Sequence, residues 1–109
     1  MDRNHALTAF AALSQETRLE VLRLLIQAGP EGVPAGEIGE QLGVKQNTMS
    51  ANLSVLAHAG LVKTQREGRS IRYFADYEAM TGLLTFLLQD CCGGRKELCQ
   101  PLLDKIVCC

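Results

Sequence analysis

Tryptophan is absent from this chain of 109 residues, and only 5% of its side chains are aromatic. A core must therefore be assembled mainly from Leu, Val, Ile and Ala. Histidine occurs only as His5 and His58, far apart in the sequence, which leaves little material for a Ser-His-Asp or Cys-His catalytic constellation. No uninterrupted apolar run approaches the ~18 residues of a membrane-crossing helix. The opening stretch "MDRNHALTAFAALSQETR" lacks a basic segment followed by an apolar one and a cleavage site. These absences predict a soluble, cytoplasmic protein that is not an enzyme, does not engage a membrane and requires no cofactor.

What is present is the composition of one globular domain, 47% hydrophobic and 21% charged. The formal net charge of −1 is unevenly spread. Residues 45–72 carry Lys45, Lys63, Arg66, Arg69 and Arg72 against Glu67 alone, while acidic side chains predominate on either side. A polyanion responds to such a local face and not to the whole-chain charge.

The apolar spacing predicts a mainly helical chain. A short helix runs through Ala6, Leu7, Phe10, Ala11 and Leu13. In "LSQETRLEVLRLLIQAGP", Ser14 is the expected cap, Leu19, Leu22, Leu25 and Ile26 recur at helical intervals, and Gly29-Pro30 ends the helix. Pro34 suits a first helical position, with Ile38 and Leu42 on one face and Gly43 as a left-handed stop. The stretch "KQNTMSANLSVLAHAG" reads as the next helix, with Met49, Leu53 and Leu56 as its inward stripe. Two short helices joined at a Gly turn, the second with a small polar outer face, outline a helix-turn-helix. "LVKTQREGRSIRYFAD" then reads as a β-hairpin reversing at Gly68. Asp76 caps a long apolar helix, "YEAMTGLLTFLLQDCC", ended by Gly93-Gly94, and a last short helix follows with Pro101 in its first turn. The fold class is thus mainly α with a small β-hairpin wing, a winged helix-turn-helix. Its domain occupies residues 1–94 and a cysteine-containing tail residues 95–109.

The runs "LSQETRLEVLRLL", "GEIGEQLGVKQNTMSANLSVLAHAGLV" and "REGRSIRYF" resemble the winged-helix repressors of the ArsR/SmtB metalloregulatory family. The similarity extends over roughly residues 7–75. It implies a homodimer that binds double-stranded operator DNA and lets go when a metal or metalloid binds. The side chains at the start of the reading helix agree with this. Lys45 and Lys63 suit phosphate; Gln46, Asn47, Thr48 and Ser50 are short polar side chains able to reach base edges; Arg69 at the hairpin tip suits a minor groove, and Ala51 and Arg66 complete the candidate DNA surface. Where many family members carry Arg-His, this chain has Ala51-Asn52.

The five cysteines include Cys91, Cys92 and Cys99 around the Gly-Gly break, and Cys108 and Cys109 at the end of the chain. Packing strains to explain the adjacent pair, because neighbours on a helix point about 100° apart. Enzymatic thiol chemistry lacks its frame: there is no Cys-x-x-Cys, and Glu97 and Leu98 stand where a Cys-x5-Arg loop needs arginine. A thiolate-only cluster selects soft ions. Trivalent arsenic, or antimony, takes three sulfurs in a pyramid, and Cys91, Cys92 and Cys99 supply three. Family members with a C-terminal Cys-Cys pair and a third Cys nearby resemble this chain and are arsenite-responsive, which implies As(III), and with it Sb(III), as the inducer. Ligation requires deprotonated thiols and therefore weakens at low pH. Cys108 and Cys109 read as extra ligands, a delivery site or a frayed end. Two alternatives stand beside this reading, a thiol redox switch and a Cd, Pb or Zn sensor; a third is a winged helix that binds protein instead of DNA.

Overall fold

The three glycines at positions 29, 43 and 60 punctuate the chain, each with positive φ, at 70°, 65° and 77°. They separate helices in the order expected. The computed structural model describes residues 1–88 and 96–105, apart from the side chains of Lys96, Cys99 and Leu103. The helices are α1 (Arg3–Leu13), α2 (Glu16–Ala28), α3 (Ala35–Leu42), α4 (Gln46–His58), α5 (Tyr77–Leu88) and α6 (Lys96–Lys105). The strands are β1 (Val33–Pro34), β2 (Val62–Glu67) and β3 (Ser70–Ala75). They form one antiparallel sheet in the order β1-β3-β2. The α3-turn-α4 unit and the β2-β3 wing make this a winged helix-turn-helix.

The hairpin register pairs Val62 with Ala75 and Glu67 with Ser70, leaving Gly68 and Arg69 as a two-residue turn. Gly68 has φ 63°, as the primed turns that match strand twist require at their first central position. Only Val62 of β2 is buried; from Lys63 to Glu67 the strand stands in solvent.

The core is aliphatic. Val21, Leu22 and Leu25 of α2, Ile38 of α3, and Met49, Leu53 and Leu56 of α4 converge with Leu61, Val62 and Leu83. The Met49–Leu53–Leu56 stripe is buried throughout, as its i, i+4, i+7 spacing demands.

Several local expectations are corrected. Ser14 does not cap α2. It closes α1, donating its hydroxyl to the Ala11 carbonyl, while the Gln15 side chain accepts the Arg18 amide at 2.8 Å and caps α2. A longer side chain from one residue later thus takes the role expected of Ser14. Leu19 lies outside the core, 46% exposed, because Val21 takes the inward position. In α1 the inward residues are Ala6, Ala9 and Ala12, whereas Leu7 and Phe10 face outward. Pro34 is not helical. Its extended backbone (φ −64°, ψ 148°) lets Val33 and Pro34 pair with Tyr73 and Arg72 as a third strand. An edge strand tolerates the missing N–H. Pro101 sits well inside α6 and not in its first turn, since that helix begins at Lys96. Asp76 does cap α5, accepting the Ala79 amide at 3.1 Å. The Gly93-Gly94 break and the boundary between residues 94 and 95 lie outside the described residues.

Candidate nucleic-acid interface

A reading helix needs a fixed axis and a surface free of large apolar groups. The turn between α3 and α4 is tight: a Cβ placed on Gly39 would lie 3.0 Å from the Val44 carbonyl oxygen and 3.1 Å from Gln46 Oε1. Gly39 therefore lets α3 approach the start of α4, and the Gln46 amide rests against it. Lys45 is the residue before the first turn of α4, with extended backbone and no side-chain cap of its own. The first amides of α4 accordingly point out unmet by a side chain, apart from Thr48, whose N–H donates to Asn47 Oδ1 at 2.9 Å. Lys45, Gln46, Asn47, Thr48, Ser50 and Ala51 are all exposed. The expected surface exists, with the Asn47 amide oxygen already engaged within the protein.

On the wing, Lys63, Arg66 and Arg69 are exposed. Arg72, which adds to the basic surplus of the sequence, is not free. Its Nε donates to Glu67 Oε1 at 3.0 Å and its Nη1 to the Glu31 carbonyl at 3.1 Å. This pair neutralises itself and ties the wing back to the segment before β1.

The α4 axis is held from behind by a residue that sequence reading missed. Arg18, in the first turn of α2, donates from Nε to the Ala12 carbonyl at 2.6 Å and from Nη1 to Asn52 Oδ1 at 3.2 Å. One guanidinium thus joins the last turn of α1, the start of α2 and the middle of α4. Asn52 is 8% exposed and is the buried polar residue among those described. Its position, three after Met49 and four before Leu56, both buried, places it on the inner face, where a polar side chain requires a partner.

The comparisons with known proteins agree with this geometry. A helix-turn-helix domain model matches residues 13–65. The uncharacterized HTH-type transcriptional regulator YbzH of Bacillus subtilis is 36% identical over 90 residues, covering 72% of this chain and 90% of that protein. A Halobacterium salinarum protein named, provisionally, as the arsenical resistance operon repressor ArsR2 is 37% identical over 81 residues, 74% of this chain and 66% of its own. The solved structure of an ArsR-like transcriptional regulator from Rhodococcus sp. RHA1 superposes with a TM-score of 0.70 at 28% identity, covering 95% of this chain and 93% of that one. The chain belongs to the ArsR family of winged helix-turn-helix transcriptional regulators.

As an ArsR-family regulator it is a DNA-binding protein and not an enzyme. The Ala51-Asn52 departure now has a structural account on one side: Asn52 faces inward to Arg18, and only Ala51 is available to DNA. Among the described residues no three His, Cys, Asp or Glu side chains gather as a metal site, and no helix is long and apolar enough to cross a membrane. The expected ligands Cys91, Cys92, Cys108 and Cys109 lie outside the described residues, and of Cys99 only its place on α6 is given.

The wing offers a direct measurement. Arg69→Ala is expected to weaken operator binding and lower the slope of log affinity against log salt by ~0.9 per bound protomer, the release of one phosphate-bound counterion each. Fluorescence anisotropy across a salt series checks it. An unchanged slope places Arg69 away from the DNA backbone.

Proposed function

We propose that this regulator is a homodimeric repressor that binds operator DNA and releases it when trivalent arsenic, or antimony, is captured by Cys91, Cys92 and Cys99. The observation that carries the reading is the run of three thiols within nine residues of a chain without nearby histidine. Thiolates without nitrogen or oxygen partners favour soft, thiophilic ions, and three of them match a pyramidal trithiolate. The relative named for arsenical resistance supports the same chemistry.

Dimerisation is supported by exposed apolar side chains on the two helices outside the reading unit. Leu7 and Phe10 on α1, and Leu84 and Leu87 on α5, are exposed in the single chain. A second copy covering them would set two α4 helices against successive major grooves, about 34 Å apart. The cysteines follow α5 in sequence, so ligation there acts on the element that joins the two copies. Coupling of this kind amounts to about 1–3 kcal/mol, or about 5–150-fold in operator affinity.

Single replacements Cys91→Ser, Cys92→Ser and Cys99→Ser test the reading. Each variant should bind operator as the parent does and stay bound when arsenite is added under reductant. If all three release DNA like the parent, the inducer site lies elsewhere. If peroxide and not arsenite releases the parent, the signal is thiol oxidation.

A further inference from the structure

A concavity of about 630 Å³ lies between α1 and α4. It is lined by Thr8 and Ala11 of α1, Arg18 of α2, and Ser54, Val55 and His58 of α4, with Ala12 and Ala59 completing the apolar floor. Small-molecule sites commonly span ~300–1,000 Å³, mostly apolar with a few convergent polar groups. The groove has that make-up, and no carboxylate lines it.

Arg18 gives the groove its chemistry. The guanidinium is partly buried, and both of its partners are neutral oxygens, those of Ala12 and Asn52. Among the described residues the sole ion pair is Arg72 with Glu67, so none of these residues brings a carboxylate within salt-bridge distance of Arg18. A cation withdrawn from water is costly unless an anion meets it. Of the five N–H donors of a guanidinium, two are spent on holding it still. Three remain, on a group already immobilised, so an incoming carboxylate need not order it. The Thr8 hydroxyl, although it donates to the Asn4 carbonyl at 3.0 Å, retains acceptor capacity.

We propose that this groove binds a small organic anion, its carboxylate on the Arg18 guanidinium and its apolar body against Ala11, Val55 and Ala59. Two observations separate the groove from the surfaces already described. The outward Leu7 and Phe10 of α1 do not line it, so it is distinct from the apolar strip assigned to a second copy. Ser54 and His58 lie in the second half of α4, beyond Lys45 to Ala51, so it is also distinct from the reading end. The proposal does not depend on the thiol reading.

The test uses the full chain under reductant, followed by amide and histidine NMR signals, with benzoate as probe and benzamide as its uncharged counterpart. Benzoate should give saturable shifts at Thr8, Ala11, Ser54 and His58 with Kd below about 1 mM. Benzamide should bind at least about tenfold more weakly, as expected for loss of a charge-assisted hydrogen bond. Val55→Trp, at a site 40% exposed and hence tolerant of bulk, fills the groove and should weaken benzoate by about tenfold or more while leaving the circular dichroism unchanged. Absence of saturation, equal binding of benzamide, or shifts centred on Leu7, Phe10 and Leu84 would each overturn the proposal.

Discussion

Replacing Arg18 by alanine is expected to destabilise the chain by about 2–4 kcal/mol and to lower operator discrimination more than it lowers non-specific DNA binding. Each hydrogen bond from a charged donor contributes about 1.5–3 kcal/mol net. Two are lost, and water that enters at the partly buried guanidinium position offsets part of the loss. Asn52, 8% exposed, then holds an unmatched amide oxygen on the inner face of α4. The helix must rotate or admit water to satisfy it, and either response moves the reading residues. Attraction of the exposed basic side chains Lys45, Lys63 and Arg69 to a polyanion does not depend on the α4 axis and should survive. The ratio of specific to non-specific affinity is therefore the informative measurement, with chemical denaturation run alongside. The double variant Arg18→Met with Asn52→Leu removes both polar partners at once, and so should be more stable than the sum of the single losses predicts. Additivity of the two single variants would show that Arg18 and Asn52 act independently.

A second large effect is expected at Gly32. Its backbone, φ 66° and ψ −171°, lies in a region open essentially to glycine alone. A Cβ there would lie 2.5 Å from the Phe74 ring and 2.6 Å from the Tyr73 carbonyl oxygen. Backbone strain of about 1–3 kcal/mol and overpacking of about 1–3 kcal/mol add to roughly 2–6 kcal/mol for Gly32→Ala. Total stability for a domain of this kind is about 5–15 kcal/mol, so the variant should sit near its folding threshold. The damage should begin where β1 meets β3, because Val33 and Pro34 follow Gly32 directly. Faster hydrogen exchange at Tyr73 and Arg72 than at Leu53, measured in the variant, would locate it. A melting temperature equal to the parent's would remove the argument.

Those two residues also mark where sequence reasoning stops. The order of helices, the Met49–Leu53–Leu56 stripe and the Gly68-Arg69 reversal were legible because each is a local pattern, repeated at the period of its element. The strand Val33–Pro34 was not, since two residues carry no periodicity and its partner lies about forty positions away. The Arg18–Asn52 bond spans 34 positions, and nothing local distinguishes Arg18 from a solvated arginine. Asn52 did leave one trace. It falls next to Leu53 and three residues after Met49, within the inward arc, and a polar residue there implies a hidden partner. The capping error had another origin: Ser14 and Gln15 compete for one helix start, and side-chain reach decided it in favour of Gln15.

The Asn47 amide has a consequence for the operator. Its oxygen is turned toward its own helix, where it accepts the Thr48 N–H, so the amino half is what Asn47 offers outward. Purine N7, guanine O6 and thymine O4 can all receive such a donor, whereas a two-pronged grip on adenine also needs the oxygen. If Asn47 meets a base pair, that pair is chosen by the balance between an internal bond kept and an external one gained. Operators of this regulator should accordingly tolerate exchange at that position while staying strict at others.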